Sequence, residues 1–466
     1  MHAKEEIEMN EFQIEDPQEL SIEEQISEKM KPQISNSEQK AIIRFTVLYF
    51  VIGIPAGFYA SLTLLLQGSG ISSGQMAFWV TCLYPLSFKL ILAPFVDSFY
   101  ISKFGKRKSY VIPSLYMLGL TFLTLAYSGY SQWIEELNLY PLFGLTILLT
   151  VLQACATIAT NGWVLTSFSK HYVHLGATCQ MVGLSLGYVF SYAILMNITS
   201  SYFCHQYLGL DQPIISLNSY TYILGSLILF IAILTQCFAN EDYVEEEKPN
   251  FLQVLKLSFS LLRNPNLRFL LLFLLTRRFA FAPVIASTSL NLIQMGFPQS
   301  EYATIEAICT TSWILSSLLV AKYLQRGREM TWVLNAYYFM FLVMGAHFVY
   351  VISFIKMGGY NNITQTIYFF LQYLYEFNNS FISCTLSGFF LRIADPSIGG
   401  TYATLLFSSY LFGTQFSASV SLFLLHLLPY KTVVLLGWLY GLIYFTVIKD
   451  KLMKLQFFDL KSWKVI

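Results

Sequence analysis

Charged residues are scarce in this sequence, which separates it from soluble proteins. Only 12% of its 466 residues are Asp, Glu, Lys or Arg, while 55% are hydrophobic and the mean hydropathy is +0.54. A soluble globular domain carries about twice that fraction of charge. Because no soluble core could bury so much apolar surface, the composition indicates a chain that is partly solvated by lipid.

The sequence also has little that indicates a metal, a disulfide framework or nucleotide-driven chemistry. Its seven cysteines are scattered, mostly through apolar stretches, without ligand or disulfide spacing. It contains no glycine-rich loop of the kind that cradles phosphates, which argues against an ATP-driven pump. Nucleic-acid binding has no support, and neither a metal nor a cofactor is expected.

The first forty residues hold much of the acidic charge. Residues 1–40 contain eleven acids and four lysines, a net charge of −7, which leaves +8 for the rest of a chain whose total is +1. The segment is rich in Glu, Gln and Ser and has no sustained apolar face, a composition typical of disorder. The sequence therefore predicts a disordered acidic tail joined to a mildly basic membrane body.

Long apolar runs predict about twelve transmembrane helices, since about 20 apolar residues are needed to cross a bilayer. A charged linker at 239–264 divides them six and six. The predicted fold class is an all-α membrane protein with two six-helix bundles, at 41–238 and 265–449, and a second tail at 450–466. The predicted spans are 42–66, 75–97, 110–128, 140–166, 176–198, 219–238, 267–292, 301–324, 331–355, 363–392, 400–426 and 431–449.

Lysine and arginine fall on one side when alternate loops are assigned to the two faces of the membrane. That side receives both tails and the 103–108 cluster, whereas the opposite loops receive only Lys356 and Lys431. Because basic loops stay cytosolic, both termini are predicted to be cytosolic. The opposite loops carry two N-I-T glycosylation sequons. Asn362 is the better acceptor, because Asn197 lies close to the bilayer.

A cluster of cations lies between the second and third spans, in VDSFYISKFGKRKSYVIP. A weaker cluster, KYLQRGR from Lys322, follows the eighth span, six spans later. That offset indicates a duplicated six-helix unit. The carboxylate near a basic turn resembles the loop signature of the major facilitator superfamily, where such loops hold one side shut; for the second cluster, membrane topology alone is an equal explanation. The signature residues here are Asp97, Gly105, Lys106, Arg107 and Lys108.

Three stretches resemble the acetyl-CoA transporter family of the endoplasmic reticulum, a branch of that superfamily. They are PLSFKLILAPFVDSFYISKFGKRKSYVIPSLYMLG from Pro85, NGWVLTSFSKHYVHLGATCQMVGLSLGY from Asn161, and DPSIGGTYATLL, which starts at Asp395 and contains Gly399 and Gly400. The resemblance implies a carrier, not an enzyme, that moves acetyl-CoA from cytosol to lumen by alternating access in exchange for CoA. It also implies a loop or gating role for the last stretch.

The fourth span departs from the family pattern. The family has two acids in Asp-Ile-Ala-x-Asp-Gly-Trp, whereas here Thr157 and Asn161 stand at those two positions. Both carboxylates are replaced by neutral side chains. A coupling or substrate role for acids at these positions is therefore in doubt in this chain.

Two arginines lie near the middle of the seventh predicted span, where a charge is costly and usually faces a cavity or a partner. A guanidinium makes planar, bidentate contacts with phosphate, so Arg277 and Arg278 are candidates for binding a phosphate-bearing anion. The alternative is an ion pair with an acid of a neighbouring span. Neighbours on a helix point about 100° apart, so at most one of the two arginines aims into a central cavity. The family resemblance favours Arg278, which matches the family's basic position.

Four further residues complete the candidate substrate site. Lys89 lies eight residues before Asp97, on the same helical face, and is equally explained as its ion-pair partner. Glu376, in the tenth span, is a candidate partner for an arginine or a proton carrier. Tyr59 begins a polar stripe in the first span, and Asn161 lies within the fourth. Glu306, in the eighth span, is a weaker candidate.

Other functions stay open on the sequence alone. The same fold could carry another amphipathic organic anion instead of acetyl-CoA. A membrane acyltransferase would need a buried general base, and His347 and His426 are available, although neither has an acid or nucleophile at a telling spacing. The expected partners are an anionic small molecule, the lipid bilayer and, as an open alternative to a monomer, a second copy of the chain in a homodimer.

Overall fold

A computed structural model describes residues 35–98, 100, 105–168, 173–238, 262–323, 328–393, 399–458 and 460–463. Within this part of the chain the regular structure is helical throughout, and no strand occurs. An all-α membrane protein is therefore confirmed. The acidic tail at 1–34 and most of the 239–264 linker lie outside the described residues.

Eleven α-helices lie in the described part of the N-terminal half. A 3-10 turn at Thr81–Leu83 follows α2, and a π-helical segment at Phe190–Ile194 joins α8 to α9. The helices are α1 Asn36–Gly68, α2 Ser73–Val80, α3 Tyr84–Ser87, α4 Lys89–Ser98, α5 Lys108–Ser128, α6 Tyr130–Glu135, α7 Leu139–Ser167, α8 Val173–Val189, α9 Leu195–Ile198, α10 Ser201–Leu208 and α11 Leu217–Phe238.

The C-terminal half contains eight α-helices among the residues described. A short 3-10 turn at Leu460–Trp463 follows the last of them. The helices are α12 Pro265–Thr276, α13 Ala282–Gln294, α14 Gln299–Cys309, α15 Ser312–Tyr323, α16 Glu329–Ser353, α17 Asn362–Ile393, α18 Gly399–Leu427 and α19 Tyr430–Leu455.

Among the described residues, eight helical segments are long and apolar enough to cross a membrane. They correspond to predicted spans one, three, four, five, six, nine, eleven and twelve. Spans two, seven and eight are instead interrupted, as α2–α4, α12–α13 and α14–α15, and span ten is the long but more polar α17. A multi-pass membrane protein is confirmed, and the full number of twelve crossings stays a prediction.

The first helix begins at Asn36, earlier than the predicted start of its span at residue 42. Ser35 is its N-cap and accepts a hydrogen bond from the Glu38 amide, while the Glu38 side chain accepts one from the Ser35 amide. This capping box satisfies two amides that the first turn would leave unpaired. The S-N-S-E signal is readable in the sequence, but the apolar run alone does not include it.

Close packing of α1 on α8 organises the N-terminal half. A Cβ placed at Gly53 would meet the backbone of Leu184, and one at Gly187 would meet the carbonyl of Phe50. Only glycine permits helix backbones to approach this closely. These two glycines therefore allow α1 and α8 to pack closely.

The two ends of the helices define two faces of the molecule. The terminal face carries the start of α1 and the end of α19, and there Arg392 forms an ion pair with Glu329 at 3.2 Å. The distal face carries the opposite ends. The halves are hydrogen-bonded to each other from the distal face to mid-depth, through Gln67–Ser289, Gln294–Ile71, Gln299–Leu64, Asn197–Thr304, Tyr84–Ser419 and Ser87–Gln415.

Candidate functional site

The seventh predicted span is interrupted where its two arginines lie. Helix α12 ends at Thr276, residues 277–281 form turns, and α13 starts at Ala282 with Pro283 in its first turn. Proline fits the first turn of a helix because its missing N–H would be unpaired there anyway. Interrupted membrane helices of this kind form substrate sites in secondary transporters.

Glycines from the last two helices pack against this interruption. A Cβ at Gly413 of α18 would collide with the carbonyl of Leu274, at the end of α12. A Cβ at Gly437 of α19 would lie 3.2 Å from the carbonyl of Ala280. The neighbouring helices therefore pack directly on the irregular backbone, which holds both arginines in fixed positions.

Arg277 is sealed inside the C-terminal half. Its exposed fraction is 2%. The guanidinium donates to the Tyr337 hydroxyl at 2.6 Å and to Thr414 Oγ1 at 3.1 Å, and it stacks 3.9 Å from the centre of the Tyr410 ring. Neutral hydroxyls and an aromatic face thus stabilise this charge.

Arg278 is only partly buried and points to a different helix. It donates to Asn379 Oδ1 at 3.1 Å and to the Tyr375 hydroxyl at 2.6 Å, both on α17. Glu376 follows Tyr375 on that helix and interacts electrostatically with Arg278. Its own Oε2 accepts a hydrogen bond from Trp313 Nε1 at 2.9 Å rather than from the arginine.

Neither arginine forms an ion pair within 4.0 Å among the residues that the structure describes. Among the described residues, the ion pair within that distance is Arg392–Glu329 at the terminal face. A buried charge without a counter-charge is costly. The ion-pair alternative to anion binding is therefore not met within the described residues, and of the two guanidinium groups Arg278 is the more accessible.

Lys89 and Tyr59, two further candidate residues, differ in whether their side chains are engaged by neighbours. Lys89 is the first residue of α4, directly after the interruption at Phe88; it is partly buried and makes no hydrogen bond or ion pair with a described residue. Tyr59 is buried and stacks on Trp79 with ring centres 5.5 Å apart. Lys89 therefore has a free ammonium group within the described region, whereas Tyr59 is a packing residue in this state.

The motif at 161–163 joins three elements at the terminal face. Asn161 is exposed and accepts a hydrogen bond from the Tyr49 hydroxyl at 2.7 Å. The Arg107 guanidinium of the basic turn lies against Gly162. Trp163 is buried beneath Arg44, whose guanidinium is 5.0 Å from its ring centre. This motif therefore ties α1 and the basic turn to α7.

One contact that the sequence does not predict crosses between the halves. The Tyr192 hydroxyl, in the π-helical segment, donates to Glu306 Oε2 of α14 at 2.6 Å. Glu306 also interacts electrostatically with Glu376. A π-helical turn in a membrane span frequently marks a functional position, but nothing in the sequence distinguishes this one from an ordinary helix.

Comparison with known proteins places the chain in a family. The family model described as acetyl-coenzyme A transporter 1 matches residues 42–254 and 243–437. The chain belongs to the acetyl-coenzyme A transporter 1 family. An uncharacterized membrane protein of Saccharomyces cerevisiae is 27% identical over 447 residues, covering 77% of this chain and 79% of that protein. An uncharacterized protein of Schizosaccharomyces pombe is 26% identical over 381 residues, covering 79% and 72%.

Solved transporters share the fold of this family member. The nucleoside transporter NupG superposes with a TM-score of 0.58 at 12% identity, covering 91% of this chain and all of that one. A D-xylose–proton symporter gives 0.54 at 12% identity, covering 86% and 96%. These are transporters of the major facilitator superfamily. The likeness confirms that fold and says nothing about the cargo, whereas the family match identifies the chain as a membrane transporter.

Several family-signature residues lie at the edge of what the structure describes. Gly105, Lys106, Arg107 and Lys108 form the turn before α5. Gly399 and Gly400 begin α18, and Asp97 lies in α4, but its side chain is outside the described part. Asp395 and Lys103 of the 103–108 cluster lie outside the described residues.

Proposed function

We propose that this transporter carries acetyl-CoA across the endoplasmic reticulum membrane from cytosol to lumen, in exchange for CoA. Cargo would bind near the interruption between α12 and α13, with Arg278 as the principal cationic contact. Lys89 and Arg277 would add to the positive potential. No catalytic residue is assigned, because carriage requires positioning of the anion and a change of access, not a chemical step.

The observation that carries the proposal is a pair of cations at an interrupted helix in a chain of this family. CoA bears a pyrophosphate and a 3′-phosphate, so its passage through the bilayer requires positive charge inside the membrane. The hydrogen bonds of Arg278 go to a hydroxyl and an amide. Such neutral partners leave the positive charge available to a phosphate, for which a guanidinium has a matching geometry.

Alternating access would move the two halves against each other. The hydrogen bonds between the halves gather at the distal face, which supports a state that is closed there and loads from the terminal face. With both termini in the cytosol, that state would take up cytosolic cargo. Opening to the lumen would require the distal contacts to separate.

The central experiment measures uptake of labelled acetyl-CoA by sealed proteoliposomes. We expect Arg278→Ala to abolish saturable uptake and Arg278→Lys to retain part of it, because an ammonium keeps the charge but loses the bidentate contact. Arg268→Ala is the matched control, since Arg268 is an exposed arginine of the same helix α12. Uptake that survives Arg278→Ala unchanged would contradict the proposed role.

A competition panel separates this function from its alternatives. CoA and acetyl-CoA should compete with the label, whereas nucleotide sugars, glutathione species and muropeptides should not. If another anion on the panel competes and acetyl-CoA does not, the chain is a carrier with a different cargo. Turnover of acetyl-CoA by detergent-solubilised protein, with no sealed vesicle, would instead indicate an acyltransferase.

A further inference from the structure

A groove of about 500 Å³ lies near the distal face, where the two halves meet. Helix α10 of the N-terminal half forms one wall, and α14 and α17 of the C-terminal half form the others. The groove contains one carboxylate among aromatic and aliphatic side chains. The residues that matter are Phe203, Tyr207, Glu301, Ile308, Gln365 and Phe370.

The carboxylate of Glu301 is buried without a cation. Its exposed fraction is 4%. Gln365 Nε2 donates to Oε2 at 2.7 Å and the Tyr207 hydroxyl lies near the same carboxylate, but no donor among the described residues is aligned with Oε1. No described Lys, Arg or His lies within 4.0 Å of it. The available partners are therefore all neutral.

The helix to which Glu301 belongs does not by itself account for this burial. Glu301 lies in the first turn of α14, where the helix dipole favours a negative charge. That effect is about 0.3–1 kcal/mol for an exposed group and up to about 2 kcal/mol for a partly buried one. Removing an unpaired carboxylate from water costs several kcal/mol even after relaxation. A bound cation would supply the missing compensation.

The other walls indicate what kind of cation fits. Tyr207 lies near the carboxylate, and the centre of the Phe203 ring lies 5.0 Å from that of the Tyr207 ring in the wall of the same groove. Aromatic faces attract ammonium groups, quaternary ones included. Ile308 lies seven residues farther along α14, about 10 Å deeper by the helical rise. Ile308 is 47% exposed and Phe370 is 61% exposed. The groove thus has an anionic, aromatic end near the membrane boundary and an exposed apolar end at greater depth.

We propose that this groove binds a phospholipid with an ammonium headgroup. The ammonium lies against Glu301, Tyr207 and Phe203, and an acyl chain runs along Ile308 and Phe370. The lipid then contacts both halves at the face where they are hydrogen-bonded, next to the Asn197–Thr304 contact. Its headgroup stabilises the state in which the distal face is closed. The site is independent of the cargo.

The test is lipid retention by the purified, detergent-solubilised full chain, measured by native mass spectrometry. The probes are phosphatidylcholine, phosphatidylethanolamine and phosphatidylglycerol with identical acyl chains. We expect the wild type to retain the two ammonium lipids over phosphatidylglycerol by about tenfold, a factor within the range of one desolvated cation–π and charge contact. Glu301→Gln should remove that preference, and Glu301→Lys should reverse it towards phosphatidylglycerol.

Matched variants keep the result interpretable if a protein folds poorly. Glu135→Gln changes an exposed acid of α6, also at the distal face, and should leave the preference unchanged. Phe370→Ser should weaken the binding of all three lipids alike, because Phe370 contacts the acyl chain and not the headgroup. An unaltered preference in Glu301→Gln overturns the proposal. Displacement of the lipid by millimolar choline or ethanolamine alone would assign the site to a soluble cation and also overturn it.

Discussion

At the scale of single residues, the two adjacent arginines occupy different environments. Arg277 is enclosed by Tyr337, Tyr410 and Thr414, whereas Arg278 is partly exposed and bound to α17. The sequence predicts that one of them points elsewhere, since helical neighbours diverge by about 100°. It does not predict the partners, because Tyr375 and Asn379 lie about a hundred positions away in the chain.

The Tyr410 ring should stabilise the buried Arg277 side chain more than the Tyr410 hydroxyl does. Tyr410→Leu removes the face on which the buried guanidinium stacks, so we expect it to lower the free energy of unfolding by about 2 kcal/mol, the size of a desolvated cation–π contact. Tyr410→Phe keeps the ring and serves as the control. Denaturant unfolding of both variants in the same detergent checks this, and equal losses in the two would contradict it.

Gly162 should be required for the placement of Arg107. A methyl group at Gly162 would occupy the position of the guanidinium, so we expect Gly162→Ala to reduce uptake to the level of Arg107→Ala. The double variant should be no worse than either single one, since both disturb a single contact. Gly144→Ala is the control on the same helix α7, because a Cβ at Gly144 meets nothing within 4 Å. Additive losses would refute the coupling.

At the scale of helices, the sequence predicts apolar length better than continuity. The runs that become α1, α7 and α16 are long and uninterrupted, and their limits follow from hydropathy except at the capped start of α1. The interruption at 277–281 has a signal in hindsight, because Pro283 suits a helix start. The interruption at Thr310 and Thr311 has none. Such breaks depend on neighbouring helices, such as the approach of Gly413 to α12, that no local pattern encodes.

The contact from Tyr192 to Glu306 should favour the state that is closed at the distal face. A hydrogen bond contributes about 0.5–1.5 kcal/mol, so we expect Tyr192→Phe to raise the population open at that face roughly two- to twelvefold. Labelling of Ala303→Cys, a fully buried position of α14, by an impermeant maleimide reports that population.

Tyr220→Phe provides the comparison for this measurement. It removes a hydroxyl that bonds the Phe190 carbonyl within the N-terminal half. The labelling rate of Ala303→Cys should be the same whether residue 220 is Tyr or Phe. If the two tyrosine variants label equally fast, the cross-half contact has no special effect on access.

At the scale of the whole molecule, the proposed orientation puts the distal face in the lumen. Asn362 is exposed at the start of α17, whereas Asn197 is bonded to Thr304 across the halves. We therefore expect glycosylation at Asn362 alone in eukaryotic cells. An endoglycosidase should shift the electrophoretic mobility of the wild type and of Asn197→Gln, but not of Asn362→Gln. A shift in Asn362→Gln would contradict this assignment.

The six-and-six plan is predicted from the sequence because repeated apolar runs and the charged linker are both local features, and it stays a prediction. What the sequence does not predict is how the halves meet. Gln67 lies near the distal end of α1, and its side chain donates to Ser289 Oγ in the other half. Such contacts join residues more than a hundred positions apart and depend on the state of the transporter, so no spacing rule could reveal them.

The concentration of cross-half hydrogen bonds at one face also has a kinetic consequence. An empty carrier has to break all of them before it can open towards the lumen, at about 0.5–1.5 kcal/mol for each bond. That turn of the empty molecule would then be the slow step in the net release of lumenal CoA. Acetyl-CoA that occupies the site during the turn supplies binding energy for it, so vesicles preloaded with CoA should lose it faster when acetyl-CoA is present outside.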